Sequence, residues 1–158
     1  MNDIAIRPSG FPWPPLIYLA GVAIAIELWV LYPLPWFGSP MSDILFAVGC
    51  IAVLAVVAID VSAMRSLAKA KTTIRPDKGS TQLVTSGAFS FSRNPIYLAN
   101  TLLMLAIAMI SGILWFVPLA LIAAFLTQKL AIEREEKHLG ARFGKKYSDY
   151  ARRVRRWI

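Results

Sequence analysis

The stretch FSRNPIYLANTLLMLAIAMI, residues 91–110, joins a polar helix start directly to an apolar helix. Asn94 is a favourable N-cap and Pro95 prefers the first helical position, so the sequence predicts that a helix begins there. Arg93 adds a full positive charge beside the partial positive charge of that helix end. Such a group suits a carboxylate or a phosphate, although a plain helix cap would look the same in sequence.

Four apolar runs indicate that the chain is an integral membrane protein. Hydrophobic residues make up 57% of the chain, and the runs cover residues 16–36, 41–61, 95–110 and 113–132. The first, second and fourth reach the roughly 20 residues that cross a bilayer as a helix, whereas the third would extend only about 24 Å. We predict an all-α polytopic protein with about four transmembrane helices, and whether the third crosses fully stays open. Since only about two residues separate the last two runs, these should form a tight hairpin.

Positive charge is confined to one predicted side of the membrane. All 17 Lys and Arg residues lie at position 7, within residues 65–93 or within residues 129–156. Since positive charge marks the cytoplasmic side, both termini are predicted to be cytoplasmic. The arrangement favours contact with anionic membrane lipids over binding to nucleic acid. Residues 1–15 lack a basic region followed by a cleavable apolar segment, so the first span is expected to remain as an anchor.

Few side chains inside the apolar runs can carry chemistry. Cys50 is the only cysteine and His138 the only histidine, which argues against a disulfide within one chain and against a histidine-rich metal site. We expect no metal ion. Glu27 lies in the middle of the first run, where a carboxylate is costly in lipid, and is expected to be either packed against the helix bundle or protonated.

The C-terminal region, residues 133–158, is predicted to form a helix that leaves the membrane and breaks at Gly140 or Gly144. A basic amphipathic helix should follow. Its apolar residues recur at intervals of three and four and are expected to lie on the inner membrane surface; they are Phe143, Tyr147, Tyr150, Val154 and Trp157.

Three carboxylates follow the fourth run. A pair between Glu133 and Lys137, four residues apart, would be typical of a solvated helix face. Neighbouring residues on a helix point about 100° apart, so at most one of Glu135 and Glu136 should face a shared pocket. The hairpin returns these carboxylates to the membrane level of Arg93. We therefore predict a polar pocket at the inner interface, where a water-soluble cofactor could meet a lipid-embedded substrate.

Two sequence blocks in this region resemble a known enzyme family. LVTSGAFSFSRNPIYL, residues 83–98, and EEKHLGARFGKKYSDYARRV, residues 135–154, flank the predicted hairpin. Together they resemble the isoprenylcysteine carboxyl methyltransferases and the related phospholipid methyltransferases, over residues 73–158. The resemblance implies a membrane methyltransferase that binds S-adenosylmethionine at the cytoplasmic face and acts on a lipid or a lipid-linked acceptor, either a carboxylate or an amine.

The resemblance also implies the site residues. Carried over by position, the cofactor-binding residues are Gln82, Leu83, Val84, Phe89, Asn94, Pro95, Ile96, Tyr97 and Glu135. The catalytic candidates are Arg93, Glu136 and Arg153, either as cations that position an acceptor or, for Glu136, as a base towards an amine. Residues 1–158 are taken as one membrane domain, in which residues 1–72 supply two spans and residues 73–158 supply the cofactor-binding loop, the hairpin and the C-terminal helix.

The chain departs from the family pattern at three positions. Asn94 stands where the carboxyl methyltransferases usually have histidine, and it cannot titrate near neutral pH. Ala99 stands where a glycine often follows the tyrosine. Ala131 stands where members that methylate prenylcysteine are expected to have an arginine, a role that Arg134 or Arg153 would have to fill.

Two other functions remain open from the sequence. Sterol-type membrane reductases share a similar asparagine or histidine, proline and tyrosine pattern but use NADPH. Four arginines near the C-terminus could hold its 2′-phosphate: Arg152, Arg153, Arg155 and Arg156. The second alternative is a non-catalytic membrane partner protein.

Overall fold

The structure, a computed structural model, describes residues 13–70 and 82–158. Most of residues 1–15, in which we expect no cleavable signal, lie outside the described residues, as does the domain division at residues 72–73. The described residues form helices and no strand. In chain order these are α1 (Trp13–Leu31), α2 (Met41–Lys69), a 3₁₀ turn (Gly87–Ser90), α3 (Pro95–Ser111), α4 (Phe116–Thr127), a π turn (Gln128–Ile132), α5 (Glu133–Phe143) and α6 (Lys145–Arg153).

Three helical segments are long and apolar enough to cross a membrane, which is consistent with an integral membrane protein. They are Trp13–Leu31, Met41–Lys69 and Phe116–Phe143, and the shorter apolar helix Pro95–Ser111 is the fourth candidate. The third segment consists of α4, the π turn and α5. The all-α class expected from the apolar runs is therefore confirmed for the described residues.

The helix ends do not coincide with the ends of the apolar runs. α1 ends at Leu31, inside the first run, because Pro33 disfavours helical geometry at the residue before it. α2 continues past residue 61 to Lys69, because the end of an apolar run ends a membrane span but not the helix itself. The connection between α3 and α4 spans residues 112–115 rather than two residues.

The helices pack through small side chains. α3 packs against both α2 and α4, and α1 packs against α4. Alanines make up much of the buried core, which lets helix backbones approach closely. The core cluster consists of Tyr18, Ala25, Met104, Ala108, Phe116, Ala120 and Ala123.

Glu27 does not face this bundle, so the expectation that it packs there is wrong. The buried residues of α1 are Pro14, Tyr18, Gly21 and Ala25, which share one helix face. Glu27 comes two residues after Ala25 and therefore points away from that face, and its side chain is exposed.

Gly49 lies where α2 packs closely against α3. A Cβ atom at Gly49 would lie 2.7 Å from Ile110 Cγ1 and 3.1 Å from the backbone oxygen of Ala106. Replacing Gly49 by Ala should therefore force the two helices apart and destabilise the fold by about 1–3 kcal/mol. Thermal unfolding in detergent, followed by circular dichroism, should show a lower midpoint.

Gly21→Ala is the matched control for this prediction. A Cβ atom at Gly21 meets only the flexible end of Met104, at 3.2 Å. A methionine side chain can move aside, so the midpoint should hardly change. Equal midpoints for both variants would show that the contact at Gly49 does not limit helix packing.

Candidate functional site

A cavity lies where α2, the 3₁₀ turn, the start of α3 and the last two helices meet. All nine residues expected to bind a cofactor line it, and so do Arg93 and Glu136. Four further lining residues were not predicted: Leu67, Leu139, Tyr147 and Tyr150. The predicted juxtaposition of the α3 start and the α5 carboxylates is therefore present in the structure.

The first turn of α3 faces α5 across the cavity. The Tyr97 hydroxyl lies next to the Glu135 carboxylate and interacts with it. Behind this pair, Thr101 Oγ1 donates to the Tyr97 carbonyl oxygen at 3.0 Å and lies 2.7 Å from the Tyr18 hydroxyl. α1 therefore supports the backbone that carries Tyr97.

Two guanidinium groups hold Glu136. Arg156 forms a bidentate pair with it, with Nε 2.9 Å from Oε1 and Nη2 2.7 Å from Oε2. Arg93 Nη2 lies 3.2 Å from the same Oε1, and Arg93 Nη1 donates to the Tyr147 hydroxyl at 3.2 Å. Bidentate charge-assisted bonds are strong and fix the geometry of both partners. Glu136 is therefore the centre of an ion-pair network that spans three parts of the chain.

The expectation that at most one of Glu135 and Glu136 faces a shared pocket is wrong. Both line the cavity, because the cavity wraps around two sides of α5, with Glu135 towards Tyr97 and Glu136 towards Arg93. The expected pair between Glu133 and Lys137 is also wrong. Glu133 pairs at 2.7 Å with Lys129, which precedes it by four residues.

The C-terminal segment, residues 154–158, lies against the start of α3. The Arg93 N–H donates to the Arg155 carbonyl oxygen at 3.0 Å. The Arg156 carbonyl oxygen accepts from Asn94 Nδ2 at 3.1 Å and from Ser92 Oγ at 3.3 Å. The Asn94 side chain is thus used to hold this segment and makes no capping bond to α3, which corrects the N-cap prediction.

α6 covers the cavity with two tyrosines. Tyr147 and Tyr150 are buried, and the Tyr150 hydroxyl donates to the Phe89 carbonyl oxygen at 2.6 Å. The prediction that these side chains lie on the membrane surface is therefore wrong. α6 begins after a break at Gly144 and ends at Arg153, so Val154 and Trp157 lie beyond the helix rather than on its apolar stripe.

The side chains of Tyr147, Tyr150 and Arg156 each keep one protonation state near neutral pH. Burial raises the pKa of Tyr150 to about 12 and also raises the pKa of Tyr147. The hydrogen bond to Glu136 raises the pKa of Arg156. The two phenols therefore stay neutral, and Arg156 stays charged.

A π turn at Gln128–Ile132 joins α4 to α5. Such wide turns are rare and often occur at functional sites. Trp157 Nε1 donates to Gln128 Oε1 at 2.9 Å, so the C-terminal segment is also attached to this turn. Nothing in the composition of QKLAI indicates a π turn, and the sequence could not have predicted it.

The structure does not bring Arg153 or Arg134 into the cavity. Arg153 lines a surface depression that adjoins the cavity at Gln82 and Leu83, and its Nε donates to the Asp149 carbonyl oxygen at 3.4 Å. Arg134 is exposed on α5, and Ala131 is buried in the π turn. Of the arginines predicted to position an acceptor, Arg93 lines the cavity, whereas Arg153 and Arg134 do not.

Metal-binding side chains are not clustered in the described part of the chain. Within residues 13–70 and 82–158, no three His, Cys, Asp or Glu side chains lie together in a way that could hold a metal ion.

Comparison with known proteins gives one family. Comparisons with curated proteins and with solved structures found no match. The family model described as phospholipid methyltransferase matches residues 44–146, which is more than half of the chain. The match begins within α2 and ends before Tyr147, so it includes the start of α3 and both carboxylates of the cavity but not the C-terminal segment. The chain belongs to the phospholipid methyltransferase family.

Proposed function

We propose that the protein transfers a methyl group from S-adenosylmethionine to a lipid or a lipid-linked acceptor at the basic face of the membrane. The family supports methyl transfer in a membrane. The observation that carries the proposal is that nine residues expected to bind the cofactor, which are separated in sequence, line one cavity. The acceptor group is a carboxylate or an amine.

The charges around the cavity suit the amino-acid end of S-adenosylmethionine. The first turn of α3 has N–H groups without a partner in the helix, and Ile96 and Tyr97 line the cavity there. These donors would receive a carboxylate, aided by the partial positive charge of the helix end. Glu135 lies opposite and would accept from the ammonium group or from the ribose. Phe89 would pack against the adenine ring.

The cofactor would supply a methyl group already activated by a sulfonium. Protein side chains then mainly have to align the acceptor for in-line displacement and exclude water. Arg93 is placed to attract an anionic acceptor because it lines the cavity. Glu136 is less suited to remove a proton, since two guanidinium groups hold it, and we propose that it positions Arg93. The proposal does not use Arg153, which lies outside the cavity.

Calorimetric titration with S-adenosylhomocysteine in detergent tests this proposal. The wild type should bind, and Glu135→Gln should weaken binding by about tenfold to a hundredfold, because a hydrogen bond to a charged group contributes about 1.5–3 kcal/mol. Tyr97→Phe removes the neutral partner of Glu135 and should weaken binding by about fivefold.

Glu133→Gln is the matched control, since it removes a carboxylate from the same helix that pairs with Lys129 outside the cavity. Its affinity should equal that of the wild type. Binding of NADPH but not of S-adenosylhomocysteine by the folded wild type would favour the reductase. Binding of neither would favour a non-catalytic partner protein and would contradict the proposal.

A further inference from the structure

A second groove lies on α2, outside the cavity. It runs between the exposed face of α2 and the chain at Ser86 and Gly87. Arg65 and Lys69 line its basic end. The two cations are four residues apart and thus share one helix face. Both are exposed, and neither forms an ion pair or hydrogen bond with another residue in 13–70 or 82–158.

The rest of the groove is lined by three serines, Gly87 and apolar side chains of α2. Leu54, Val57 and Val61 line it and are exposed, although α2 is long and apolar enough to lie in a membrane. Leu54 and Arg65 are eleven residues apart, a rise of about 16 Å along the helix, which matches about a dozen carbons of an extended acyl chain. A molecule that fits the groove therefore has a negative end and a long apolar end.

The groove is separate from the cavity. Ser86 and Gly87 line the groove, whereas Phe89 of the same 3₁₀ turn lines the cavity. On α2, Ser66 lines the groove and Leu67 lines the cavity. One turn of chain and one helix thus stand between a molecule in the groove and a cofactor in the cavity. The molecule in the groove need not be the methyl acceptor.

We infer that this groove binds the phosphate of an anionic glycerophospholipid between Arg65 and Lys69, with one acyl chain along Leu54, Val57 and Val61. Two full positive charges outweigh the partial negative charge at the end of α2. A free phosphate would leave the apolar part of the groove uncovered, and a zwitterionic lipid would bring a positive group towards the two cations. The site neither uses the methyl acceptor nor depends on the proposed methyl transfer.

Native mass spectrometry of the protein released from detergent micelles tests the inference. The probe is dioleoylphosphatidylglycerol, titrated beside dioleoylphosphatidylcholine, with no cofactor present. The wild type should retain one phosphatidylglycerol more tightly than phosphatidylcholine. The double variant Arg65→Ala/Lys69→Ala should weaken phosphatidylglycerol binding by at least about tenfold, since each basic residue near an anionic lipid contributes appreciably.

Two further variants distinguish a specific lipid-binding site from general attraction of an anionic lipid to positive charge. Lys145→Ala/Arg152→Ala removes the same charge from exposed positions on α6 and should leave the affinity within about twofold. Ala58→Trp fills the groove without changing its charge and should weaken binding as the first double variant does. Equal losses in both double variants, no preference for phosphatidylglycerol, or unchanged binding by Ala58→Trp would each overturn the inference. All three variants alter exposed side chains, and their elution as single peaks in size exclusion would show that they fold.

Discussion

Removing residues 154–158 is expected to weaken S-adenosylhomocysteine binding by at least about a hundredfold while most of the helix content remains. The segment accepts three hydrogen bonds from residues 92–94 through its backbone and holds Glu136 through Arg156. A neutral hydrogen bond contributes about 1 kcal/mol and a charge-assisted bond about 1.5–3 kcal/mol. Their joint loss exceeds the roughly 2.7 kcal/mol that corresponds to a hundredfold change in affinity.

The affinity is expected to fall because the C-terminal segment orders residues that line the cavity, and not because the segment itself contacts the ligand. The C-terminal segment does not line the cavity, but it fixes Arg93 and Asn94, which do. When only a fraction of molecules has the binding geometry, the apparent affinity falls by that fraction. Calorimetry should therefore show weaker binding, and circular dichroism should show a nearly unchanged helical signal.

Two variants define the cause of this effect. Arg156→Ala removes the guanidinium but keeps both backbone carbonyl acceptors, so its loss of affinity should be intermediate. Ile158→Ala changes a side chain that is 72% exposed and should bind as the wild type does. Wild-type affinity in the truncated chain would show that the start of α3 keeps its geometry without the segment.

Gly87→Ala is expected to destabilise the protein by about 2–5 kcal/mol. Gly87 has a φ of +61°, a backbone geometry that costs other residues about 1–2 kcal/mol. A Cβ atom there would also clash with Ser66 Oγ and would lie 3.0 Å from Ser62 Oγ on α2. Such overpacking typically costs a further 1–3 kcal/mol. Denaturant unfolding in detergent measures the change in the free energy of unfolding.

The two contributions can be measured separately. Gly144 has a φ of +51° with nothing within 4 Å of an added Cβ atom, so Gly144→Ala should show backbone strain without a clash. In Gly87→Ala/Ser66→Ala the nearest atom is removed, and part of the lost stability should return. The 3₁₀ turn also carries Phe89 into the cavity, so Gly87→Ala should weaken ligand binding as well. If Gly87→Ala/Ser66→Ala recovers none of the stability lost in Gly87→Ala, the close contact with Ser66 does not restrict the turn.

Local sequence features were enough to predict the helices and the part of the site at the start of α3. The helix that begins at Pro95 is confirmed, because proline and the preceding asparagine restrict the backbone locally. The closeness of Arg93 to Glu136 could be expected from two helices that return to the same membrane level. The assignment of individual residues to cofactor and acceptor stays a prediction.

The closure of the cavity could not be read from the sequence. Residues 92–94 are held by the carbonyl oxygens of Arg155 and Arg156, and every residue has such an acceptor. The aromatic spacing of Tyr147 and Tyr150 indicated a buried helix face, but it could not distinguish a membrane surface from the protein itself. Only the tertiary contact of α6 with Phe89 decides between them.

The π turn also bears on how the chain tolerates changes in length. Each residue advances an α-helix by about 100° and 1.5 Å, so five residues in regular α-helical geometry would present a different face of α5 to Tyr97. A π turn accommodates one surplus residue by widening the helix locally. A single-residue deletion within Gln128–Ile132 would therefore remove the bulge while leaving α5 in its present orientation. The same deletion after Ile132 would rotate Glu135 and Glu136 away from their partners. Within the Phe116–Phe143 segment, the π turn is therefore the place where the chain can lose a residue and still form the same cavity.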